Sequence, residues 1–243
     1  MSRGAIARYR HLQKTAFHWA LDQGFRVAAL DVRVAKIGAR LDVAACKFEP
    51  PRKVRGANLL KAGPVVVFEC KSDRADFLRD TRSEEQLREQ LKGLHGRRSV
   101  LEESLRRDFP TLREGETLFP EYDVYRFENV GGSPYQELLG EIDEVSRRLY
   151  SKGKVAKMLR WKGANLYYIV AEEGIADPSE LPAGWGLIEQ RMAGAAVVVK
   201  AVWQDSPDAN RWLVATRIAM AATNALESKL SSELKHSQRW FGV

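Results

Sequence analysis

Two short apolar segments of this chain carry charged residues that a buried strand ordinarily lacks. Residues 39–46 contain Asp42, and residues 64–71 end with Glu69 and Lys71. Short runs of small and β-branched residues bounded by glycine and proline predict strands. Because an unpaired charge is costly to bury, these side chains need either a partner or a chemical role.

The spacing of the charged residues predicts a cluster at the edge of a sheet. Residues two apart in a strand point to the same face, so Glu69 and Lys71 share a face and Cys70 points the other way. If the two segments pair as a hairpin, Asp42 joins them. Two carboxylates suit a hard divalent cation such as Mg2+, and the adjacent ammonium suits a water or a phosphate oxygen.

Hydrophobic periodicity predicts an α/β protein with a mixed sheet. Residues 49–63 and 178–186, which are rich in proline and glycine, are predicted to be loops. The predicted elements, in chain order, are a helix over 5–23, strands over 25–35, 40–48 and 64–71, helices over 73–80, 83–96 and 97–110, a short strand at 123–127, a helix over 135–159 that Gly153 breaks, strands over 165–171 and 195–202, and a helix over 211–236.

Three short sequence motifs connect the charged cluster to a known superfamily. They are residues 38–43 (GARLDV), 68–72 (FECKS) and 75–80 (ADFLRD). With the order of elements around them, they resemble the PD-(D/E)xK nuclease superfamily, and more closely its MmcB-type DNA repair proteins. The resemblance covers roughly residues 25–83 and 165–202.

The resemblance implies a restriction-endonuclease-like fold, in which an αβββαβ core forms a mixed β-sheet flanked by helices. It divides this chain into a nuclease-like core at 1–83 and 161–243 and a mostly helical insertion at 84–160. Two features depart from the superfamily pattern. Residues 5–21 contain no acid, although many members have a glutamate in the first helix, and Leu41 stands where the superfamily name has proline.

The resemblance also implies a role for each charged residue. Asp42 and Glu69 would bind Mg2+, for which Mn2+ could substitute, and the backbone carbonyl of Cys70 would be a further ligand. Lys71 would position or activate the attacking water and offset the developing charge. Asp31, in the first predicted strand, is the candidate accessory ligand.

The distribution of basic residues favours a polyanionic partner. The chain has a formal charge of +7, and residues 147–162 contain seven basic residues and no acidic one. Such patches suit a phosphate backbone, although a solvated helix face explains the run at residues 147–162 equally well. Arginines near residue 80 could instead form ion pairs with acids three or four positions away. The candidate nucleic-acid contacts are Arg52, Lys53, Arg55, Arg74, Arg79, Lys154, Lys157 and Arg160.

We therefore expect a metal-dependent nuclease that acts on nucleic acid, DNA rather than RNA, in repair or defence. The alternatives are a catalytically silent nucleic-acid-binding module of the same fold, and a subunit of a repair or defence complex that docks a protein partner through residues 84–160. A plain structural alternative is that Glu69 and Lys71 form a solvated strand end and that Asp42 is a turn acid.

Composition predicts a cytoplasmic protein without a membrane span or signal peptide. No run approaches the roughly 18 apolar residues of a membrane helix, and the first ten residues lack an apolar segment. The two cysteines, Cys46 and Cys70, are too few for a disulfide framework.

Overall fold

The computed structural model describes residues 3–54, 57–80, 85–108, 113–114, 124–125, 134–150 and 153–240. Its elements in chain order are α1 (Arg3–Asp22), β1 (Val27–Val34), β2 (Ala39–Val54), β3 (Ala57–Lys71), α2 (Arg74–Phe77), α3 (Glu85–Asp108), β4 (Arg113–Glu114), β5 (Val124–Tyr125), α4 (Pro134–Leu149), α5 (Gly153–Trp161), β6 (Leu166–Glu172), β7 (Gly186–Arg191), β8 (Gly194–Val199) and α6 (Asp208–Trp240).

Six strands form one mixed sheet in the order β1-β2-β3-β6-β7-β8. The central strands β3, β6 and β7 are parallel to one another, and the outer pairs are antiparallel. Helices cover both faces, so the molecule has the α/β architecture with a mixed sheet that the sequence predicts. The short strands β4 and β5 pair with each other in a separate two-stranded sheet.

Each face of the sheet has its own buried cluster. On one face, Leu12 and Ala16 of α1, one turn apart, pack against the strands. On the other face, Leu91 of α3, Ile142 of α4 and Met158 of α5 belong to the same cluster as the strand residues. The helices within residues 84–160 therefore share the core of the sheet, and their assignment as an insertion stays a prediction. No helix in the described ranges is long and apolar enough to cross a membrane.

The predicted loop at residues 49–63 is wrong, because β2 and β3 continue through most of it as a long hairpin. Val54 pairs with Ala57 near its tip. Pro50 and Pro51 coincide with a register shift between Glu49 and Arg52. Because proline has no N–H to donate, it interrupts the ladder at such an irregularity without ending the strand.

Strand β7 was missed, so the sheet has six strands where the sequence predicted five. Its first residue, Gly186, lies so close to Tyr168 that a Cβ would meet that ring at 2.2 Å. This glycine therefore permits close packing inside the sheet, whereas the sequence pattern assigned it to a loop. One helix boundary also differs, since α3 runs without a break through Gly96, whereas α4 ends at Leu149 and α5 begins at Gly153, where a break was predicted.

Candidate functional site

The site lies where two neighbouring strands separate. Strands β2 and β3 are paired up to Val43 and Phe68. Beyond that pair, β2 stays paired with β1 alone and β3 with β6 alone. Asp42 and Glu69 are the next residue on each strand, and their side chains lie at the opening between the strands.

One lysine joins the two carboxylates. Asp42 Oδ1 lies 3.1 Å from Lys154 Nζ, and Glu69 Oε2 lies 2.6 Å from the same nitrogen. The second oxygen of Asp42 accepts a hydrogen bond of 2.8 Å from the backbone N–H of Cys70. The Asp42 side chain thus takes the place of a β2 backbone partner for Cys70, and the three charged groups form one cluster.

Lys154 reaches the cluster from α5, the helix that precedes β6. Val155, Ala156 and Met158 bury the apolar side of this helix, and the Lys154 side chain is 29% exposed. Its ammonium is thus bound to two carboxylates, and the predicted role of Lys154 as a nucleic-acid contact stays a prediction. Lys154 is 112 residues from Asp42 in the chain, and no spacing pattern connects them. The density of basic residues around it was the only signal.

The environment of Glu69 favours its protonated form. Burial, followed by the negative charge of Asp42, raises the pKa of Glu69 from 4.5 to about 8, although Lys154 and Lys71 oppose the shift. Oxygen Oε1 of Glu69 is buried and has no hydrogen-bond partner among the described residues. At neutral pH Glu69 is therefore mainly protonated.

We expect the metal-free protein to lose stability as the pH rises from about 5 to about 8. A folded-state pKa of about 8 against an unfolded value near 4.5 means that the folded state holds the proton of Glu69 more tightly. Stability from this group is complete below the unfolded pKa and is lost as the pH rises through the folded pKa, with a total on the order of 5 kcal/mol. Urea denaturation across this window measures it. Glu69→Gln should flatten the profile, and a wild-type curve no steeper than that of the variant would contradict the assignment.

Asp31 lies opposite Asp42 in the β1–β2 ladder but does not join the cluster. Its backbone has φ 55°, a left-handed conformation that is uncommon outside glycine. Its carboxylate accepts hydrogen bonds from Gln13 Nε2 at 3.1 Å and from Arg10 at 2.9 Å, and it lies 3.6 Å from Arg40. Its oxygens are thus used by other groups, and the structure does not bring this candidate ligand to Glu69.

Two residues of α1 support the site, and sequence analysis missed both. Gln13 is completely buried, and its amide nitrogen donates to the Asp42 carbonyl oxygen at 3.0 Å as well as to Asp31. The hydroxyl of Tyr9 hydrogen-bonds Asp42, and burial together with that carboxylate raises the pKa of Tyr9. The signal available in the sequence was that Tyr9 and Gln13 are polar residues four positions apart, next to the buried residue Leu12. These contacts fix Asp42 from the face opposite Lys154.

The predicted catalytic lysine, Lys71, is close to the cluster but outside its ion pairs. Its Nζ lies 3.5 Å from the carbonyl oxygen of Asp76 and is held by that contact alone among the described residues. Its charge lowers the pKa of Glu69 slightly, which indicates proximity. Lys71 is therefore less constrained than Lys154.

The remaining candidate nucleic-acid contacts differ in how they are placed. Arg74 pairs with Glu180 at 2.6 Å, and Arg79 pairs with Asp76 at 2.9 Å in an i,i+3 arrangement. The second pair corresponds to the local alternative in the sequence analysis. Lys157 and Arg160 on α5 are exposed. The side chains of Arg52 and Lys53, and the whole of Arg55, lie outside the described residues.

No family model matches this chain. No curated protein matches it either. A solved structure of a protein of unknown function from Silicibacter pomeroyi is similar, with a TM-score of 0.46 and 18% sequence identity over 91% of this chain and 90% of that one. This similarity concerns the fold and carries no functional information.

The donor set fits a hard cation in part. Two carboxylates flank a single point that the ammonium of Lys154 occupies, and Glu69 has an unused buried oxygen. Oxygen donors of this kind suit Mg2+ or Mn2+. Within the described ranges, however, no group of three or more His, Cys, Asp or Glu residues could hold a metal. Further ligands would have to be backbone carbonyls, such as that of Cys70, or water.

Proposed function

We propose that this protein is a metal-dependent nuclease of the PD-(D/E)xK type, which hydrolyses phosphodiester bonds of DNA. The observation that carries the proposal is the convergence of Asp42 and Glu69 on one cation where β2 and β3 separate. Two buried carboxylates at one point are unfavourable unless a cation binds them. A role in binding a substrate-activating ion would explain why the protein places two carboxylates together at this cost. A purely structural ion pair would not require that cost.

In this proposal, Asp42 and Glu69 hold Mg2+ or Mn2+, and the Cys70 backbone carbonyl is a further ligand. The bound ion would polarise a phosphoryl oxygen and lower the pKa of a water molecule. Glu69 must lose its proton to become a ligand, so metal binding is coupled to proton release. Lys71, which has a single contact of 3.5 Å among the described residues, orients the water and offsets negative charge in the transition state.

The proposed substrate class is inferred from the positive charge of the protein and its exposed basic residues. The protein has a formal charge of +7, and Lys157 and Arg160 are exposed on the helix that also carries Lys154. Phosphate contacts by exposed basic side chains give sequence-independent, salt-dependent binding. A nucleic-acid backbone is therefore the best-fitting substrate, and a cytoplasmic role in repair or defence follows as part of the same proposal.

One observation favours a second candidate, a catalytically silent nucleic-acid-binding module of the same fold. Asp42 and Glu69 are only 6% and 3% exposed, and Lys154 already neutralises them. An ammonium group that permanently took the place of the metal ion would preserve the fold, but the protein would have no catalytic activity. Docking of a protein partner through residues 84–160 remains a third proposal.

Cleavage assays separate these functions. Linear, nicked, branched and single-stranded DNA and the matching RNAs should be incubated with wild type and with Asp42→Asn, with and without Mg2+ or Mn2+. We expect metal-dependent cleavage of at least one DNA by wild type and none by the variant, because the amide removes metal-binding charge. Salt-dependent binding without cleavage under every condition would support the silent module. Cleavage by Asp42→Asn equal to that of wild type would contradict the proposed site.

A further inference from the structure

A groove of about 720 Å3 runs along the outer edge of β1, between α1 and α6. Consecutive β1 residues from Ala28 to Asp31 form its floor, so both faces of the strand contribute. Phe17 and Arg10 line the side formed by α1, and Met220 and Arg217 line the side formed by α6. Each wall thus combines an apolar side chain with an arginine.

The floor of the groove offers unpaired backbone groups. β1 is the first strand of the sheet and pairs with β2 alone. Among the described residues, no hydrogen bond reaches the outer backbone edge of β1 from a loop, helix or side chain. A free strand edge of this kind is a template for an added strand.

Arg217 and Arg33 are charged groups of the groove that have no acidic partner among the described residues. The sulfur of Met220, 3.7 Å from Nη1, is the acceptor that the Arg217 guanidinium contacts in the described part of the chain. Its Nε is buried and unpaired. A half-buried guanidinium beside apolar side chains, with one buried nitrogen unpaired, is suited to pair with a carboxylate of a ligand.

We propose that this groove binds an extended peptide segment of a partner protein, with acidic residues next to apolar ones, as a seventh strand on β1. Backbone hydrogen bonds to β1 would give affinity, and alternate side chains would reach the two walls. Carboxylates would pair with Arg217 on the side of α6 and with Arg33 at the edge of β1. This surface adjoins the Asp42–Glu69 cluster, since Asp31 lines the groove and Gln13 bonds both Asp31 and Asp42, but peptide binding there does not depend on nuclease activity.

Two other occupants fit less well. A second copy of this chain packed groove to groove would bring Arg33 and Arg217 against the same two residues, and like charges at an interface are unfavourable. A nucleic-acid strand would place phosphates over the apolar floor made by residues such as Ala29 and Leu30, where they could not be hydrated. A peptide can present carboxylates to the walls and apolar side chains to the floor.

Peptide display on the full-length protein tests the proposal. A library of random octapeptides is selected on wild type and counter-selected on Arg217→Glu, and affinities of enriched peptides are measured by fluorescence polarisation. We expect enrichment of sequences that carry Asp or Glu and lack central proline, with at least tenfold weaker binding to Arg217→Gln. Arg147→Gln is the matched control, since it removes the same charge from an exposed arginine on α4 that pairs with Asp143. It should leave the affinity unchanged.

Three results would overturn the proposal. They are the absence of enrichment, equal affinity of the enriched peptides for Arg217→Gln and wild type, and retained binding when proline is placed at the centre of the peptide. Displacement of the peptides by a single-stranded oligonucleotide, with an Arg217-dependent affinity of its own, would assign the groove to nucleic acid. Circular dichroism of each variant confirms that a lost affinity does not reflect unfolding.

Discussion

Replacing Lys154 with methionine should lower the free energy of unfolding by about 2–4 kcal/mol at pH 9. Methionine keeps the apolar part of the side chain but removes the cation that lowers the pKa of Glu69, so the buried Asp42 and Glu69 must either oppose each other as two charges or take up a proton. Removing one partner of a buried ion pair is strongly destabilising because the remaining charge is uncompensated. Near pH 6, where Glu69 is protonated, one carboxylate remains to be compensated, so the loss should be clearly smaller. Urea denaturation at the two pH values measures the difference.

The control for this prediction lies on the same helix. Lys157 is exposed on α5, and Lys157→Met should change stability by less than about 0.5 kcal/mol at either pH. If Lys154→Met is as stable as the control, the ammonium does not compensate the carboxylates. A loss of equal size at pH 6 and pH 9 would mean instead that the packing of the lysine stem, and not charge, stabilises α5.

The same variant tests whether a metal ion and Lys154 compete for one position. Mn2+ raises the melting temperature in proportion to its preference for the folded state. Because no ammonium opposes the ion in Lys154→Met, the rise should be larger in that variant than in wild type. A silent module, in which the carboxylates serve only the lysine, would show no rise in either protein.

Local patterns were sufficient for most of the fold. The apolar runs of β1, β3 and β6 and the amphipathic helices α1 and α4 carry their periodicity within one segment, so the sequence predicts them directly. The hairpin arms at residues 49–63 and strand β7 could not be found in this way. Proline and glycine there indicate turns locally, but strand pairing with β3 and packing against Tyr168 decide their conformation. Tertiary contacts outweigh local preference at such positions.

The sequence alone identified the two acidic residues of the site, but it did not identify the residues that bind them. Asp42 and Glu69 are conspicuous because they interrupt strands that are otherwise apolar. Gln13 and Lys154 reach them from α1 and α5, one on each face of the sheet. Nothing in a single sequence specifies which lysine of a basic run will lie over a sheet edge. The adjacent Lys71 was therefore assigned the contact that Lys154 makes.

The two lysines should differ sharply in their effect on cleavage. Lys71→Ala should lower the rate by about 10²–10³-fold while leaving DNA affinity nearly unchanged, because a cation that acts on transition-state charge contributes little to ground-state binding. Lys154→Met should cleave at a rate comparable to wild type and should reach half-maximal rate at a lower metal concentration, since the competing ammonium is gone. Single-turnover rates across a Mn2+ titration, with DNA affinity measured in Ca2+, give both quantities.

The contrast is diagnostic because the two side chains are held differently. Lys154 is bound to both carboxylates at 3.1 and 2.6 Å, whereas Lys71 has one long contact of 3.5 Å to a carbonyl oxygen. A lysine that must move toward a reacting phosphate cannot also be bound to both ligands of the metal, so Lys71 is the better candidate for chemistry. Loss of cleavage in Lys154→Met with full activity in Lys71→Ala would reverse the two roles while preserving the site. If both variants cleave as well as wild type, the activity comes from elsewhere, and Asp42, Glu69 and Lys154 form a structural ion cluster.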